Sequence, residues 1–165
     1  MKQSFLLICV LSLLAACNGT AKKATQEAAV QPVNLILDTD LGPDYDDVGA
    51  MAVMHALADS GYVNILATLS SNHDELVIPC IEVLNTYFNR PDIPLGAPKS
   101  EGGVTMTSGH KIKWTEILPA KYPHKTKRTS DAPDAVQVYR KILSSQPDGS
   151  VVICTVSFLT NLKDL

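Results

Sequence analysis

Several classes of protein are excluded by what this sequence lacks. It has no internal repeat and no low-complexity domain, so a repeat array is excluded. Its formal net charge is −3, and this mildly acidic balance gives no reason to expect nucleic acid as a partner. The apolar run at residues 5–14, interrupted by Ser12, is shorter than the about 20 residues that a membrane-spanning helix needs.

The short apolar run belongs instead to a predicted export signal. Lys2 supplies a positive start, the run suits the apolar region of a signal peptide, and Leu14-Ala15-Ala16-Cys17 follows. This ending resembles the lipobox of bacterial lipoproteins, which implies cleavage after residue 16 and lipidation of Cys17. Several acyl chains would form a stable membrane anchor, in the periplasm or at the surface of the bacterial cell envelope. An ordinary signal peptide with a chance cysteine is the alternative.

The rest of the chain divides into a tether and one domain. Residues 17–32 are small, polar and weakly patterned, so we expect a flexible tether. The domain is predicted to span 33–165 and contains Cys80 and Cys154. Both lie in apolar surroundings, which favours buried thiols over a disulfide, although an oxidising compartment would allow the two to pair.

Strand and helix patterns alternate along this domain. Short apolar runs predict buried strands, and a fourth, proline-containing run predicts an edge strand. The predicted buried strands are 33–37, 63–69 and 151–155, and the edge strand is 92–95. Strands alternating with helices predict an α/β fold, an open and mostly parallel sheet flanked by helices, with right-handed crossovers.

Three helices are predicted between these strands. They span 46–57, 74–88 and 132–143; Pro79 should kink the second or shift its start, and Pro133 suits the first turn of the third. Residues 96–130 have little periodicity and predict a long functional loop. The last residues resemble the first turns of a further helix, so we expect a truncated chain.

An acidic segment follows the first strand. Five carboxylates lie within the ten residues Asp38-Thr-Asp-Leu-Gly-Pro-Asp-Tyr-Asp-Asp47, at the strand end where open α/β sheets bind ligands. Such a concentration of like charge calls for a hard cation with oxygen ligands, Ca²⁺ or Mg²⁺. A solvated acidic turn that caps the following helix is the alternative.

Two other metal motifs can be compared with this segment. A calcium-binding EF-hand loop beginning at Asp38 needs Gly and Glu where the sequence has Pro43 and Gly49, so it does not fit. Phosphatases of the haloacid dehalogenase type begin with two aspartates one residue apart, as Asp38 and Asp40 are. That motif usually continues with Thr or Val where this chain has Gly42, and it leaves three of the aspartates unexplained.

Three segments together resemble a known family. Residues 35–50, Leu-Ile-Leu-Asp-Thr-Asp-Leu-Gly-Pro-Asp-Tyr-Asp-Asp-Val-Gly-Ala, resemble the N-terminal signature of the inosine-uridine preferring nucleoside hydrolases, with two extra residues before the Asp pair. Residues 66–72 resemble the family's Thr-x-x-Gly-Asn segment, with Ser71 in place of Gly. Residues 153–162 resemble its Gly-Pro-Leu-Thr-Asn-Leu segment, with Ser157-Phe158 in place of Gly-Pro. The resemblance covers the N-terminal half of the family's pattern.

The resemblance implies Ca²⁺-dependent hydrolysis of the N-glycosidic bond of ribonucleosides, as in purine and pyrimidine salvage. Asp40 matches a calcium ligand that is also the general base. Asp47 matches a bidentate ligand, and Thr155 matches a ligand through its backbone carbonyl. Asp46 and Asn72 match contacts to the ribose hydroxyls, and a homo-oligomer is possible. The fold implied is the Rossmann-like nucleoside hydrolase fold.

The family's remaining calcium ligand and its neighbouring histidine come from a C-terminal half. We therefore expect the chain as given to be inactive alone. The alternatives are a catalytically inactive lipoprotein that binds a ligand or a partner, and an aspartate-dependent phosphatase.

Overall fold

The computed structural model of this chain describes residues 31–99, 103–107, 109, 111 and 113–165. The predicted signal peptide and nearly all of the predicted tether lie outside the described residues. No helix within them combines the length and the apolar character needed to cross a membrane.

Within the described residues, four strands and five α-helices follow one another, with one 3₁₀ turn. The strands are β1 (Val33–Thr39), β2 (Val63–Ser70), β3 (Leu95–Gly96) and β4 (Val151–Thr155). The helices are α1 (Asp46–Asp59), α2 (Val77–Tyr87), α3 (Trp114–Lys121), α4 (Ala135–Leu143) and α5 (Thr160–Asp164), and the 3₁₀ turn is Thr129–Asp131.

The strands form one parallel sheet in the order β3-β2-β1-β4, which confirms the predicted fold class. β1 therefore lies between β2 and β4. In the register, Thr39 pairs with Ser70 of β2, and Asp38 pairs with Thr155 of β4. Because parallel strands share their direction, the carboxyl ends of all three meet at one edge of the sheet.

The two faces of the sheet are covered by different helices. Ile36 packs with Ala135 and Tyr139 of α4, whereas the next residue, Leu37, packs with Met51 of α1 and with residues of α2. Successive side chains of a strand point to opposite faces, so this alternation explains why the middle of β1 is apolar throughout.

Pro79 shifts the start of its helix as expected, whereas Pro133 lies before the helix whose first turn it was predicted to occupy. α2 begins at Val77, so Pro79 lies in its first turn, and Pro133 lies just before Asp134, whose carboxylate caps α4 by accepting from the Val136 amide at 2.9 Å. β3 is an edge strand of two residues. Helix α3 was not predicted, since it lies within the expected long loop and contains Pro119.

The two cysteines of the described residues are free thiols. Cys80 is buried in α2 and its thiol donates to the carbonyl of Thr115 at 3.1 Å, while Cys154 is half-buried in β4. Burial in apolar surroundings raises the pKa of the Cys80 thiol to about 12. Its thiol is therefore an inert core group.

Candidate active site

The acidic segment lies at the carboxyl edge of the sheet. Asp40 follows β1 directly, and Asn72 follows β2 by two residues. Thr155 ends β4, the neighbour of β1 on its other side. The prediction that the strands before Asp38 and at Thr155 run parallel and side by side is confirmed.

Asp47 is a buried carboxylate in the first turn of α1. It is only 2% exposed, and the hydroxyl of Thr39 donates to its Oδ1 at 2.5 Å. Burial raises the pKa of Asp47 to about 6, the Thr39 hydrogen bond opposes this shift, and repulsion from Asp40 and Asp46 adds to it. A cation beside Asp47 would lower this pKa and favour the ionised form.

Two exposed carboxylates, those of Asp44 and Asp46, lie beside the buried carboxylate of Asp47. Asp44, Asp46 and Asp47 each offer an oxygen, and these oxygens lie within 4.8 Å of one another. The close approach of the Asp44 and Asp46 side chains raises the pKa of Asp44 and lowers that of Asp46. The sequence interpretation assigned no role to Asp44, because it belongs to the two extra residues of the signature.

Asp40 lies near this cluster, but it is not one of the three carboxylates whose oxygens lie within 4.8 Å of one another, so its predicted convergence with Asp47 on one point stays a prediction. Asp40 is half-buried, and burial raises the pKa of its carboxyl, with a further contribution from the charge of Asp46. None of the ion pairs among the described residues involves Asp40, Asp44, Asp46 or Asp47. Carboxylates that converge without a basic partner, one of them buried, are a donor set that fits a hard divalent cation.

The side-chain amide of Asn72 is fully buried and fixes the backbone beside this cluster. Its Nδ2 donates to the carbonyls of Asp40 at 3.0 Å and Met106 at 2.9 Å. Its Oδ1 accepts from the amides of Asp74 at 2.9 Å and Met106 at 3.0 Å. The observed role of Asn72 is therefore to hold the segment that bears Asp40, and its contact to a ribose stays a prediction.

Asp38 stands apart from the acidic cluster although it begins the motif. It is fully buried, and its carboxylate accepts hydrogen bonds from the hydroxyl of Tyr139 at 2.9 Å and from Nδ2 of Asn161 at 3.1 Å to each oxygen. The sequence interpretation did not find Tyr139 or Asn161. Asn161 lies within the third matched segment, so its position in that motif was an available signal, whereas Tyr139 appeared only as an apolar helix residue.

Comparison with known proteins bears on the fold. No protein-family model matches the chain, and no curated protein matches its sequence. Among solved structures, the chain is similar to a plant nucleoside hydrolase, the PpNRh1 enzyme, with a TM-score of 0.54 and 23% sequence identity over 81% of this chain. The two share a fold. The chain spans 42% of the length of that enzyme.

Proposed function

We propose that this chain contributes to the hydrolysis of the N-glycosidic bond of ribonucleosides, releasing the base and ribose, with Ca²⁺ as cofactor. The observation that carries the proposal is the acidic cluster on the segment that follows β1, at the carboxyl edge of the parallel sheet, on a fold shared with a nucleoside hydrolase. Ligands of open α/β sheets bind at this edge.

In this proposal the cation is held by Asp40, Asp47 and the backbone carbonyl of Thr155. The resemblance implies contacts to the ribose hydroxyls from Asp46 and Asn72. We propose only Asp46 for this contact, because it is exposed, whereas the side chain of Asn72 is buried and hydrogen-bonded to backbone groups. A bound divalent cation would supply Lewis-acid polarisation and would chelate the ribose diol. Asp44 is a further oxygen ligand at the exposed rim, since its carboxylate lies within reach of the same point as Asp46 and Asp47.

The residues of the chain have separate tasks in the reaction. Cleavage of a glycosidic bond builds positive charge on the sugar, and a group of carboxylates stabilises that charge. Asp40 accepts the proton of the attacking water, the role that the family resemblance implies for it, and burial raises the pKa of this half-buried carboxyl, as suits a base. The buried Asp47 is held in place by Thr39, so it serves as a fixed ligand rather than as a base.

The geometry disfavours the phosphatase alternative. In that motif the first aspartate attacks the phosphate, and here this residue would be Asp38. Its carboxylate is fully buried and accepts hydrogen bonds from Tyr139 and Asn161, so it is not available to a substrate.

A ribose-release assay on the product of the complete coding sequence tests the proposal, with inosine and uridine as substrates. Asp40→Asn should lower kcat by at least about 100-fold, as expected for the loss of a general base. Asp148→Asn, a substitution of an exposed aspartate before β4, is the matched control and should leave turnover unchanged. Turnover that survives Asp40→Asn would refute the assignment. Ca²⁺ binding without turnover in the unsubstituted protein would favour the catalytically inactive binding protein.

We also propose that the chain is a lipoprotein of the bacterial cell envelope, on the basis of Leu14-Ala15-Ala16-Cys17. Cys17→Ser should abolish lipid attachment and release the protein from the membrane fraction. Mass spectrometry of the N-terminal peptide and fractionation of the cells measure both effects. An unchanged peptide mass together with unchanged fractionation would contradict this proposal.

A further inference from the structure

The buried carboxylate of Asp38 has no task in the chemistry described above. It lies in the core without a charged partner, since no basic side chain among the described residues forms an ion pair with it. An unpaired buried carboxylate is unusual in a protein core. Burying such a group is costly unless hydrogen bonds compensate. The positions of its partners therefore indicate what the group does.

The hydrogen bonds of Asp38 and of its partner Asn161 join five elements of the fold. Its carboxylate in β1 accepts from Tyr139 of α4 at 2.9 Å and from Asn161 of α5 at 3.1 Å. The same amide nitrogen of Asn161 donates to the carbonyl of Ser70 at the end of β2, at 2.9 Å. The backbone carbonyl of Asp38 accepts from the amide of Val156, directly after β4, at 3.0 Å.

These bonds lie at the last residue pair between β1 and β4, just before the acidic cluster. Asp38 pairs with Thr155 in the register, and Asp40 lies two residues further along β1. Beyond this residue pair, the pairing of β1 with β4 no longer fixes the spacing of the two segments that follow these strands. A rigid carboxylate at this point can set the separation of groups that two different strands supply.

We propose that Asp38 is a positioning residue. Through Tyr139 and Asn161 it fixes the ends of β1, β2 and β4, and so it sets the spacing of Asp40 and Thr155. This inference rests on the cation site proposed above. Tyr139 is fully buried and Asn161 is 2% exposed, so neither partner exchanges its hydrogen bond for water. Both hydrogens of the Asn161 amide have acceptors, one on Asp38 and one on Ser70.

Tyr139→Phe is the most direct test, since it removes one hydroxyl and keeps the packed ring. Ca²⁺ affinity, measured by calorimetry on the full chain, should fall by about tenfold, as is usual when groups behind the ligands of a metal are removed. Exchange of the Val156 amide with solvent should become faster. Tyr62→Phe removes the same atom from a half-exposed ring and should change neither quantity.

Asn161→Ala is a second variant in case Tyr139→Phe does not fold. Its matched control is Asn64→Ala, near the amino end of β2, where the side chain donates to Asn34 at an exposed position. We expect Asn161→Ala to weaken Ca²⁺ binding and to speed exchange at Val156, and we expect the control to do neither.

A folded Tyr139→Phe or Asn161→Ala variant with a lower melting temperature but unchanged Ca²⁺ affinity would overturn the proposal, because Asp38 would then act on stability alone. A failure of the proposed function looks different: the unsubstituted protein would bind no Ca²⁺, and Asp40→Asn would change nothing. In that case the rate of solvent exchange at the Val156 amide still tests whether Asp38 holds the strand ends. An unchanged rate in Tyr139→Phe and Asn161→Ala would overturn this part of the proposal as well.

Discussion

Thr39 and Asp47 are joined by a short buried hydrogen bond, in which the Thr39 hydroxyl donates to Oδ1 at 2.5 Å across the loop between β1 and α1. The same hydroxyl accepts from the amide of Leu41 at 3.1 Å. One small side chain thus fixes both the start of the loop and the buried carboxylate at its end. Since the bond lowers the pKa of Asp47 against the effect of burial, it also favours the ionised form that a cation requires.

Thr39→Val should therefore weaken cation binding. The substitution keeps the shape of the side chain but leaves Asp47 without its donor, so the pKa of Asp47 should rise above its value of about 6. We expect a several-fold loss of Ca²⁺ affinity at pH 7 by calorimetry, and a loss of about 1 kcal/mol in the free energy of unfolding. Thr39→Ser keeps the hydroxyl and should bind almost as well as the unsubstituted protein. Equal affinities in the Val and Ser variants would contradict this view of the bond.

The affinity for Ca²⁺ should depend on pH through Asp47. Because protons and the cation compete for the same carboxylate, affinity should be constant well above pH 6 and should fall as the pH drops through about 6. The decline should approach about tenfold per pH unit for each ligand that must lose a proton. In Thr39→Val the midpoint should move to higher pH. Titrations between pH 7.5 and pH 5 that show no change of affinity would rule out Asp47 as a ligand.

Asn72→Ala should destabilise the fold. It removes the donor to the carbonyls of Asp40 and Met106 and the acceptor for two backbone amides, all in a buried setting. We expect the free energy of unfolding to fall by about 2–3 kcal/mol, because buried backbone groups lose their partners. Urea denaturation measures this loss. Asn64→Ala, at an exposed position, should cost less than about 1 kcal/mol, and a comparable cost in both variants would mean that the amide of Asn72 has no special role.

His55 should make the protein less stable in acid. The ring is fully buried, stacks on Phe88 at 4.4 Å and accepts or donates a hydrogen bond to Asn85 at 3.0 Å. Burial lowers the pKa of His55, and the nearby charge of Arg90 lowers it further, while Asn85 and Asp59 oppose the shift. The unfolded chain then binds the proton more tightly, so stability present above about pH 6.5 is lost as the pH falls below it.

A comparison with His55→Gln separates the contribution of His55 to the pH dependence of stability from that of the carboxylates. We expect the unsubstituted protein to lose more stability than His55→Gln between pH 7.5 and pH 5, because Gln keeps an amide partner for Asn85 but does not titrate. His124→Gln, at a partly exposed histidine outside this buried cluster, should behave like the unsubstituted protein. Parallel stability curves for the His55→Gln and unsubstituted proteins would contradict the prediction.

Local sequence was sufficient for most of the sheet and for the place of the acidic loop. The apolar runs that became β1, β2 and β4 were predicted within two residues at each end, because buried strands must be apolar on both faces and end at turn residues. Asp40 follows β1 directly and Asp47 lies in the first turn of α1, so the placement of their loop at the carboxyl edge needed only the order of the elements.

Other features were beyond local pattern. Helix α3 contains Pro119 and shows little periodicity, so nothing in its own residues distinguished it from the surrounding loop. Asp44 comes close to Asp46 and Asp47 through the bent turn at residues 42–45 that leads into α1. Such a turn depends on backbone angles that side-chain periodicity does not report.

The sequence by itself therefore determined that this chain forms a parallel α/β sheet with an acidic loop at its carboxyl edge, since both follow from patterns a few residues long. Only the tertiary structure decided that Asp38 turns into the core to meet Tyr139 and Asn161, which lie 101 and 123 residues away along the chain. It also decided that Asp47 becomes a buried carboxylate held by Thr39. These contacts depend on how distant helices pack on the sheet, and the free energy that selects them is spread over the whole core rather than encoded in any one segment.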